Sequence, residues 1–250
     1  MPFAAGIHYR VYHSGTGTPV VLIHGAGGTY LSWPPNIRRL AGYRVYALDL
    51  PAHGESKGVV ISTVEGFESA VLEWIIALEL ERVVLVGHSM GGAVAISLAL
   101  HEPGRVAGLA LLGSATRMDV NPTLITLASS DETARRAFEL VVKWSFSKQA
   151  PAKLVELVLQ RMMDTPRDVF LADLQACDTF DLTADIGGVR QPAIIICGDE
   201  DKMTPPSVVQ SLAEGLARAT MLMLPQCGHM VMYEQPETIA RVLNQFLDDI

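Results

Sequence analysis

Ser89 lies between two glycines, in the sequence Gly-His-Ser-Met-Gly at residues 87–91. An apolar run at 83–86 precedes this segment, and small and apolar residues at 92–100 follow it. A serine flanked in this way suits a sharp turn from a strand into a helix, because only glycine leaves room where the two elements approach each other. The backbone N–H groups at the start of that helix would favour negative charge. We therefore predict that Ser89 is a nucleophile, although a serine before a helix is also a common N-cap.

A serine hydroxyl is a weak nucleophile and needs a general base, an acid that orients the base, and donors for an oxyanion. Of the seven histidines, His229 is placed best to be the base, since the loop at 226–230 follows the apolar run 221–224. This loop leaves the C-terminal end of a predicted strand, where open α/β sheets place their chemistry. A hydrogen-bonded loop histidine is the alternative interpretation of this residue taken alone.

The orienting acid is expected between the serine and the histidine, at the end of another strand. The apolar run 192–197 is followed at once by Gly-Asp-Glu-Asp at 198–201. The chain order serine, acid, histidine matches one of the three known triad arrangements. The pattern itself leaves Asp199, Glu200 and Asp201 open, and aspartate is also a frequent turn former.

Donors for the oxyanion are expected early in the chain. The predicted strand at 20–23 leads into a glycine-rich loop, His-Gly-Ala-Gly-Gly at 24–28. We predict that the N–H of Ala26 pairs with the N–H of Met90, the residue after the nucleophile. His24 is then expected to support this loop, and His88 to pack beneath the serine turn.

Together these segments resemble the α/β-hydrolase family. The resemblance is carried by His-Gly at 24–25, Asp-Leu-Pro-Ala-His-Gly-Glu-Ser at 49–56, the serine turn, the segment 198–205, and Gly-His at 228–229. The resemblance selects Asp201 as the acid, because in this family it lies three residues after the glycine of a G-x-x-D-x-x-x-P segment. Some relatives carry the acid after the sixth strand, but that position here reads Gly-Ser-Ala, at 113–115. The serine turn itself is similar to those of serine carboxylesterases and monoacylglycerol lipases.

Alternation of apolar runs and helical patterns predicts an α/β fold with a mostly parallel sheet covered by helices on both faces. The predicted strands are 7–13, 20–23, 43–48, 83–86, 106–112, 193–197 and 220–224, and the predicted helices are 63–78, 90–101, 206–216 and 236–247. The resemblance implies an α/β-hydrolase core domain at 1–116 and 186–250, with a helical lid, or cap, at 117–185 inserted after the sixth strand. Helical spacing at 132–144 and 152–163 lies inside that insertion.

The predicted lid is apolar and rich in methionine. Its large apolar residues are Met118, Leu124, Leu127, Trp144, Phe146, Leu157, Met162, Met163 and Phe170. Each of them is explained as readily by packing within the lid, and we select Trp144 and Met162 by pattern as substrate-binding residues. A pocket of this composition without an evident charged anchor favours an uncharged, largely hydrophobic acyl or alcohol group.

Composition agrees with one folded enzyme. Of the 250 residues, 49% are hydrophobic and 18% charged, and the formal net charge of −8 disfavours nucleic acid as a partner. No apolar stretch reaches the ~20 residues of a membrane span, and the N-terminus has no signal-peptide pattern. The three cysteines lack metal-ligand spacing and are expected to be reduced. We expect a cytoplasmic protein with a small-molecule substrate and no cofactor or metal; the oligomeric state stays open.

The expected activity is carboxylic ester hydrolysis through an acyl-enzyme on Ser89. The same triad also serves carbon–carbon hydrolases, lactonases and perhydrolases, which stay open as alternatives. Serine at the turn separates this chain from haloalkane dehalogenases and epoxide hydrolases, which use aspartate there. A receptor or lyase of this fold is less favoured, since no triad or oxyanion position is visibly damaged.

Overall fold

An eight-stranded sheet forms the centre of the molecule. The computed structural model describes residues 2–12 and 15–250. The strand order is β1-β2-β4-β3-β5-β6-β7-β8, and the first two pairs, β1 with β2 and β2 with β4, are antiparallel while the rest are parallel. The strands are β1 (Phe3–Ala4), β2 (Ile7–Tyr12), β3 (Val20–Ile23), β4 (Val45–Leu48), β5 (Val83–His88), β6 (Val106–Leu112), β7 (Ala193–Gly198) and β8 (Ala219–Leu224). The predicted α/β-hydrolase fold, with its mostly parallel sheet, is confirmed.

The central strands are apolar throughout because helices cover both of their faces. Successive side chains of β5 lie on opposite faces of the sheet, and each face has its own hydrophobic core cluster. Val83 and Leu85 pack in one cluster, and Val84 and Val86 pack in the second. The helices are α1 (Pro35–Arg38), α2 (Val64–Ala77), α3 (Met90–His101), α4 (Pro122–Ala128), α5 (Ala134–Ser145), α6 (Ala152–Met163), α7 (Arg167–Thr179), α8 (Pro206–Gly215), α9 (Val231–Glu234) and α10 (Pro236–Asp248), with 3-10 turns at Tyr30–Ser32 and Ile186–Gly188.

Sequence patterns and structure differ at several elements. The short strand β1 was not predicted; it pairs with β2 across a tight turn in which Ala5 and Gly6 have positive φ angles. The strand predicted at 7–13 is observed as Ile7–Tyr12, and position 13 lies outside the described residues. Two helices match the expected helical spacing at 132–144 and 152–163, but α4 and α7 were missed. Helix α4 begins at Pro122, and helix α7 begins directly after Pro166. Proline is a common start signal for a helix, but no clear stripe of apolar residues follows it in either segment.

Residues 117–185, here called the four-helix segment, carry α4 to α7 between β6 and β7. An isolated bridge between Arg117 and Asp181 closes the segment at its base. The described residues contain no helix with the length and apolarity needed to cross a membrane.

All three cysteines are free and buried: Cys177 in α7, Cys197 in β7 and Cys227 shortly before His229. Burial raises the pKa of the Cys197 and Cys227 thiols to about 12 and raises that of Cys177 as well. The thiols are therefore protonated at neutral pH and unreactive while buried.

Candidate active site

Ser89 sits on a strained turn between β5 and α3. Its φ of 51° and ψ of −120° lie outside the usual regions for an L-residue, a conformation that costs on the order of 1–3 kcal/mol. A Cβ on Gly87 would lie 2.3 Å from the Gly91 carbonyl oxygen, and one on Gly91 would lie 2.2 Å from that of Ile23. Both positions therefore require glycine. The Ser89 side chain makes no capping hydrogen bond to α3, so the N-cap interpretation does not describe it.

His229 and Asp201 form a buried pair at the adjacent strand ends. Nδ1 of His229 lies 2.9 Å from Oδ2 of Asp201. The two other acidic candidates have different partners: Asp199 accepts from the N–H of Cys227, and Glu200 from the N–H of Lys148. Of the three carboxylates left open by the sequence, Asp201 is the one that meets the histidine.

Asp201 is held as a carboxylate by its neighbours. Burial raises the pKa of Asp201, but His229 and hydrogen bonds from Thr204 outweigh burial and place the pKa below its usual value. The backbone N–H groups of Met203 and Thr204 donate at 2.8 and 2.9 Å, and the Thr204 hydroxyl donates at 2.9 Å. An ionised Asp201 requires the proton of neutral His229 on Nδ1, which leaves the Nε2 lone pair free to accept a proton.

A glycine after β6 makes space for this pair. Gly113 has a φ of +54°, and a Cβ there would lie 2.8 Å from Nδ1 of His229. Any side chain at Gly113 would displace the imidazole ring.

His88, which was expected to pack beneath the serine turn, lies against His229. Its ring centroid is 4.8 Å from that of His229, and its Nε2 donates to the His229 carbonyl oxygen at 3.1 Å. Burial lowers the pKa of His88 to about 3, so this ring is neutral.

The loop at 24–28, which the sequence predicts to be an oxyanion loop and which keeps that name here, is built around His24. Nδ1 of His24 donates to the Gly25 carbonyl at 2.8 Å, and its Nε2 accepts the N–H of Leu50 at 3.0 Å. Burial lowers the pKa of His24 well below its usual value, in keeping with a neutral ring. Ala26 of this loop lines the same cavity as Ser89 and His229, and Met90 begins α3 directly after the serine.

That cavity has a volume of about 370 Å³. Trp144 and Met162 both line it, together with Met118 and Leu124 from the predicted lid set. The other five members of the set do not: Phe146 and Phe170 are buried elsewhere, Leu157 is exposed, and Leu127 and Met163 are partly buried.

The cavity wall also contains polar residues that the sequence analysis missed, among them Asp119, Asn121 and Lys202. Asp119 and Lys202 are charged, whereas the sequence showed no evident charged anchor for a substrate in the pocket. Asp119 is highly exposed and paired with Arg117 at 2.8 Å, and the Asn121 side chain caps α4. Lys202 is exposed and directly follows Asp201. Its position next to the predicted acid was the sequence signal that could have placed it at the site. No group of three or more metal-ligating side chains occurs in the part of the chain described.

Comparison with known proteins agrees with this architecture. Residues 20–242 match the alpha/beta hydrolase family. A dihydrolipoyllysine-residue acetyltransferase component of the acetoin cleaving system from Pseudomonas putida is 32% identical over 92% of this chain, which spans 64% of that protein. A pimeloyl-[acyl-carrier protein] methyl ester esterase from Nitrosomonas europaea is 28% identical, over 93% of this chain and 96% of that protein. The crystal structure of the enol-lactonase from Burkholderia xenovorans LB400 gives a TM-score of 0.89 at 25% identity, over 99% of this chain and 100% of that one. Because the family match covers most of its length, this chain belongs to the alpha/beta hydrolase family and is a hydrolase.

Proposed function

We propose that this hydrolase cleaves carboxylic esters with a largely hydrophobic acyl or alcohol group through an acyl-enzyme on Ser89. The observation that carries the proposal is the hydrogen bond between Asp201 and His229, the histidine of which lines the same cavity as the strained Ser89. The esterase among its relatives supports the same reaction.

In the proposed mechanism, Ser89 Oγ attacks the ester carbonyl while Nε2 of His229 takes the hydroxyl proton. Asp201 holds the imidazole in the required tautomer and stabilises the imidazolium that forms. The alcohol leaves with the proton from His229. Water, deprotonated in turn by His229, attacks the acyl-enzyme and releases the acid.

The oxyanion of each tetrahedral intermediate would accept the N–H groups of Ala26 and Met90. Met90 is the first residue of the twelve-residue helix α3, whose N-terminal end favours negative charge. No acceptor among residues 2–12 and 15–250 takes the N–H of Ala26, and this group is therefore available to a ligand.

We assign residues 117–185 as a lid over this site, with the remainder as the core domain. Trp144 from α5 and Met162 from α6 supply apolar wall, and methionine adapts to acyl groups of different shape. The substrate is a small molecule, since the cavity has room for a group of moderate size and no more.

Lactone hydrolysis is the second candidate, supported by the likeness to the enol-lactonase over the full length of both chains. A lactone is a cyclic ester, so the same steps apply, except that the alcohol stays attached to the acyl group.

The experiment is hydrolysis of p-nitrophenyl esters of increasing acyl length, run beside a lactone series and a vinylogous diketone for carbon–carbon cleavage. We expect Ser89-dependent ester turnover and labelling of Ser89 by a fluorophosphonate probe. Ser145→Ala is the matched control, because Ser145 lines the same cavity but its hydroxyl donates to Val141. Turnover of lactones or diketones without esters would overturn the substrate class, and labelling that survives in Ser89→Ala would overturn the nucleophile.

A further inference from the structure

We propose that Asp173 is a positioning residue, which holds the oxyanion loop in place from helix α7 of the four-helix segment. The inference rests on the proposed function, because it assigns a role to the loop that carries Ala26. Asp173 is fully buried and is far from both of its partners in sequence.

One oxygen of Asp173 takes two hydrogen bonds. Oδ2 accepts the backbone N–H of Gly27 at 2.7 Å and lies 2.8 Å from Nε2 of His53. Gly27 directly follows Ala26, so this bond fixes the peptide next to the proposed oxyanion donor. A hydrogen bond to an ionised carboxylate is roughly twice as strong as one between neutral groups.

The oxyanion loop needs such an anchor because it is rich in glycine. Gly27 has a φ of +64°, a conformation that glycine enters and leaves easily. Its carbonyl is held as well, by the Thr165 hydroxyl at 3.1 Å. Both polar groups of the Gly27 backbone are therefore bound by side chains of the four-helix segment, while Gly25 on the other side of Ala26 is bound by His24.

His53 supplies the positive partner of Asp173. Its Nδ1 lies 2.9 Å from the Pro51 carbonyl oxygen, which can only accept, and its Nε2 faces the carboxylate. Both ring nitrogens therefore carry protons. Burial lowers the pKa of His53, but the Asp173 carboxylate outweighs burial and raises it above the usual value.

Packing alone does not account for a carboxylate here. The second oxygen of Asp173, Oδ1, is buried and has no hydrogen-bond partner among the described residues. A buried ion pair with an unsatisfied oxygen contributes little stability compared with apolar residues of similar volume. Preservation of the loop geometry is a function that an apolar residue could not supply.

The same segment that walls the cavity thus also orients the loop. A Cβ on Gly27 would lie 3.1 Å from Cε of Met162 and 3.2 Å from Cδ2 of Phe170. Side chains of α6 and α7 therefore pack closely against Gly27. Opening of the segment would remove both anchors of Gly27. Alignment of the Ala26 N–H is therefore coupled to closure of the four-helix segment.

The test compares Asp173→Asn with Glu68→Gln. Glu68 is also a buried carboxylate paired with a histidine, His101, but it lies away from the cavity. For Asp173→Asn we expect kcat for esters to fall by about 10²-fold with KM nearly unchanged, since loss or misplacement of one oxyanion donor has about this effect. Affinity for a trifluoromethyl ketone, which binds as a tetrahedral adduct, should fall in parallel. Glu68→Gln should lower the melting temperature without these changes.

Thr165→Val is the second variant, since it removes only the donor to the Gly27 carbonyl and serves if Asp173→Asn does not fold. We expect it to lower kcat about 10-fold, again with KM nearly unchanged. Unchanged kcat in the folded variants, or a rise in KM alone, would overturn the positioning role.

Fluorophosphonate labelling separates this proposal from the function on which it rests. The phosphonyl oxygen of the probe gains negative charge against the oxyanion donors in the transition state, so the rate of labelling of Ser89 should fall in Asp173→Asn. If the wild-type protein labels on Ser89 but hydrolyses no ester, the labelling rates still decide the role of Asp173. If Ser89 is not labelled in the wild type, the proposed function itself fails.

Discussion

Among the buried aspartate–histidine pairs of the described residues, two lie in different regions of this molecule and have nearly the same geometry. His229 and Asp201, 2.9 Å apart, meet at the C-terminal edge of the sheet, while His53 and Asp173, 2.8 Å apart, join the sheet to the four-helix segment. In the first pair the second ring nitrogen has no hydrogen-bond partner among the described residues, and His229 lines the cavity. In the second pair the corresponding nitrogen, Nδ1 of His53, donates a hydrogen bond to the Pro51 carbonyl oxygen. The comparison teaches that an aspartate alone does not make a histidine a base, since the second ring nitrogen must also be free to accept a proton at the cavity.

Replacement of the proposed base, His229, should have the largest effect on kcat. His229→Ala is expected to lower kcat by about 10⁶-fold, because Ser89 then has no proton acceptor. The double variant with Ser89→Ala should lose little more, since triad members act as a unit. His101→Ala, at an exposed histidine paired with Glu68, is the control. Substantial ester turnover in His229→Ala would remove it from the proposed mechanism.

Asp201→Asn should have the next largest effect, a fall in kcat of about 10⁴-fold, because the amide favours the wrong histidine tautomer. Asp199→Asn changes a neighbouring carboxylate that does not touch the ring and should leave kcat nearly unchanged. Steady-state kinetics of the two variants decides between them. The opposite ranking would show that the acid was assigned to the wrong residue.

The stability of the two pairs should respond to opposite ends of the pH range. The pKa of His53 is raised on folding, so its ion pair stabilises fully below its unfolded pKa of about 6.5 and less as the pH rises through the folded value. The pKa of Asp201 is lowered, so its contribution is present above about 3.9 and is lost as the pH falls through the folded value.

Urea unfolding across pH measures this contrast. The difference in free energy of unfolding between wild type and His53→Gln should shrink on going from neutral to alkaline pH. The difference for Asp201→Asn should shrink only in acid. A difference for His53→Gln that is constant from acid to alkaline pH would argue against a charged His53.

The smallest effects are expected at the apolar wall. Trp144→Ala or Met162→Ala should change kcat/KM by up to about 10-fold and unequally across acyl lengths, because a methylene in an apolar pocket contributes about 1–3 kcal/mol. Leu157→Ala, at an exposed residue outside the cavity, is the control. If each variant changes all esters by one common factor, the four-helix segment covers the site without selecting substrates.

Local pattern and chain order were enough to predict that Ser89 and His229 lie at one cavity, because strand ends of a parallel sheet meet at one edge. The choice of Asp201 over its neighbours needed the family resemblance, since all three carboxylates follow the same strand. Asp173 was not predictable in this way. Its partners are more than 100 residues away, and α7, which carries it, buries residues of two different core clusters and shows no clear apolar stripe.

Two of the buried cysteines can serve as natural reporters of local unfolding in different regions of the protein. Cys177 belongs to the four-helix segment and Cys197 to the sheet, and neither thiol ionises readily while its surroundings stay closed. Alkylation of each residue then proceeds at the rate at which its own region opens to reagent. Peptide mapping of the two thiols over time would report separately on the four-helix segment and on the sheet in the wild-type chain, without any engineered label.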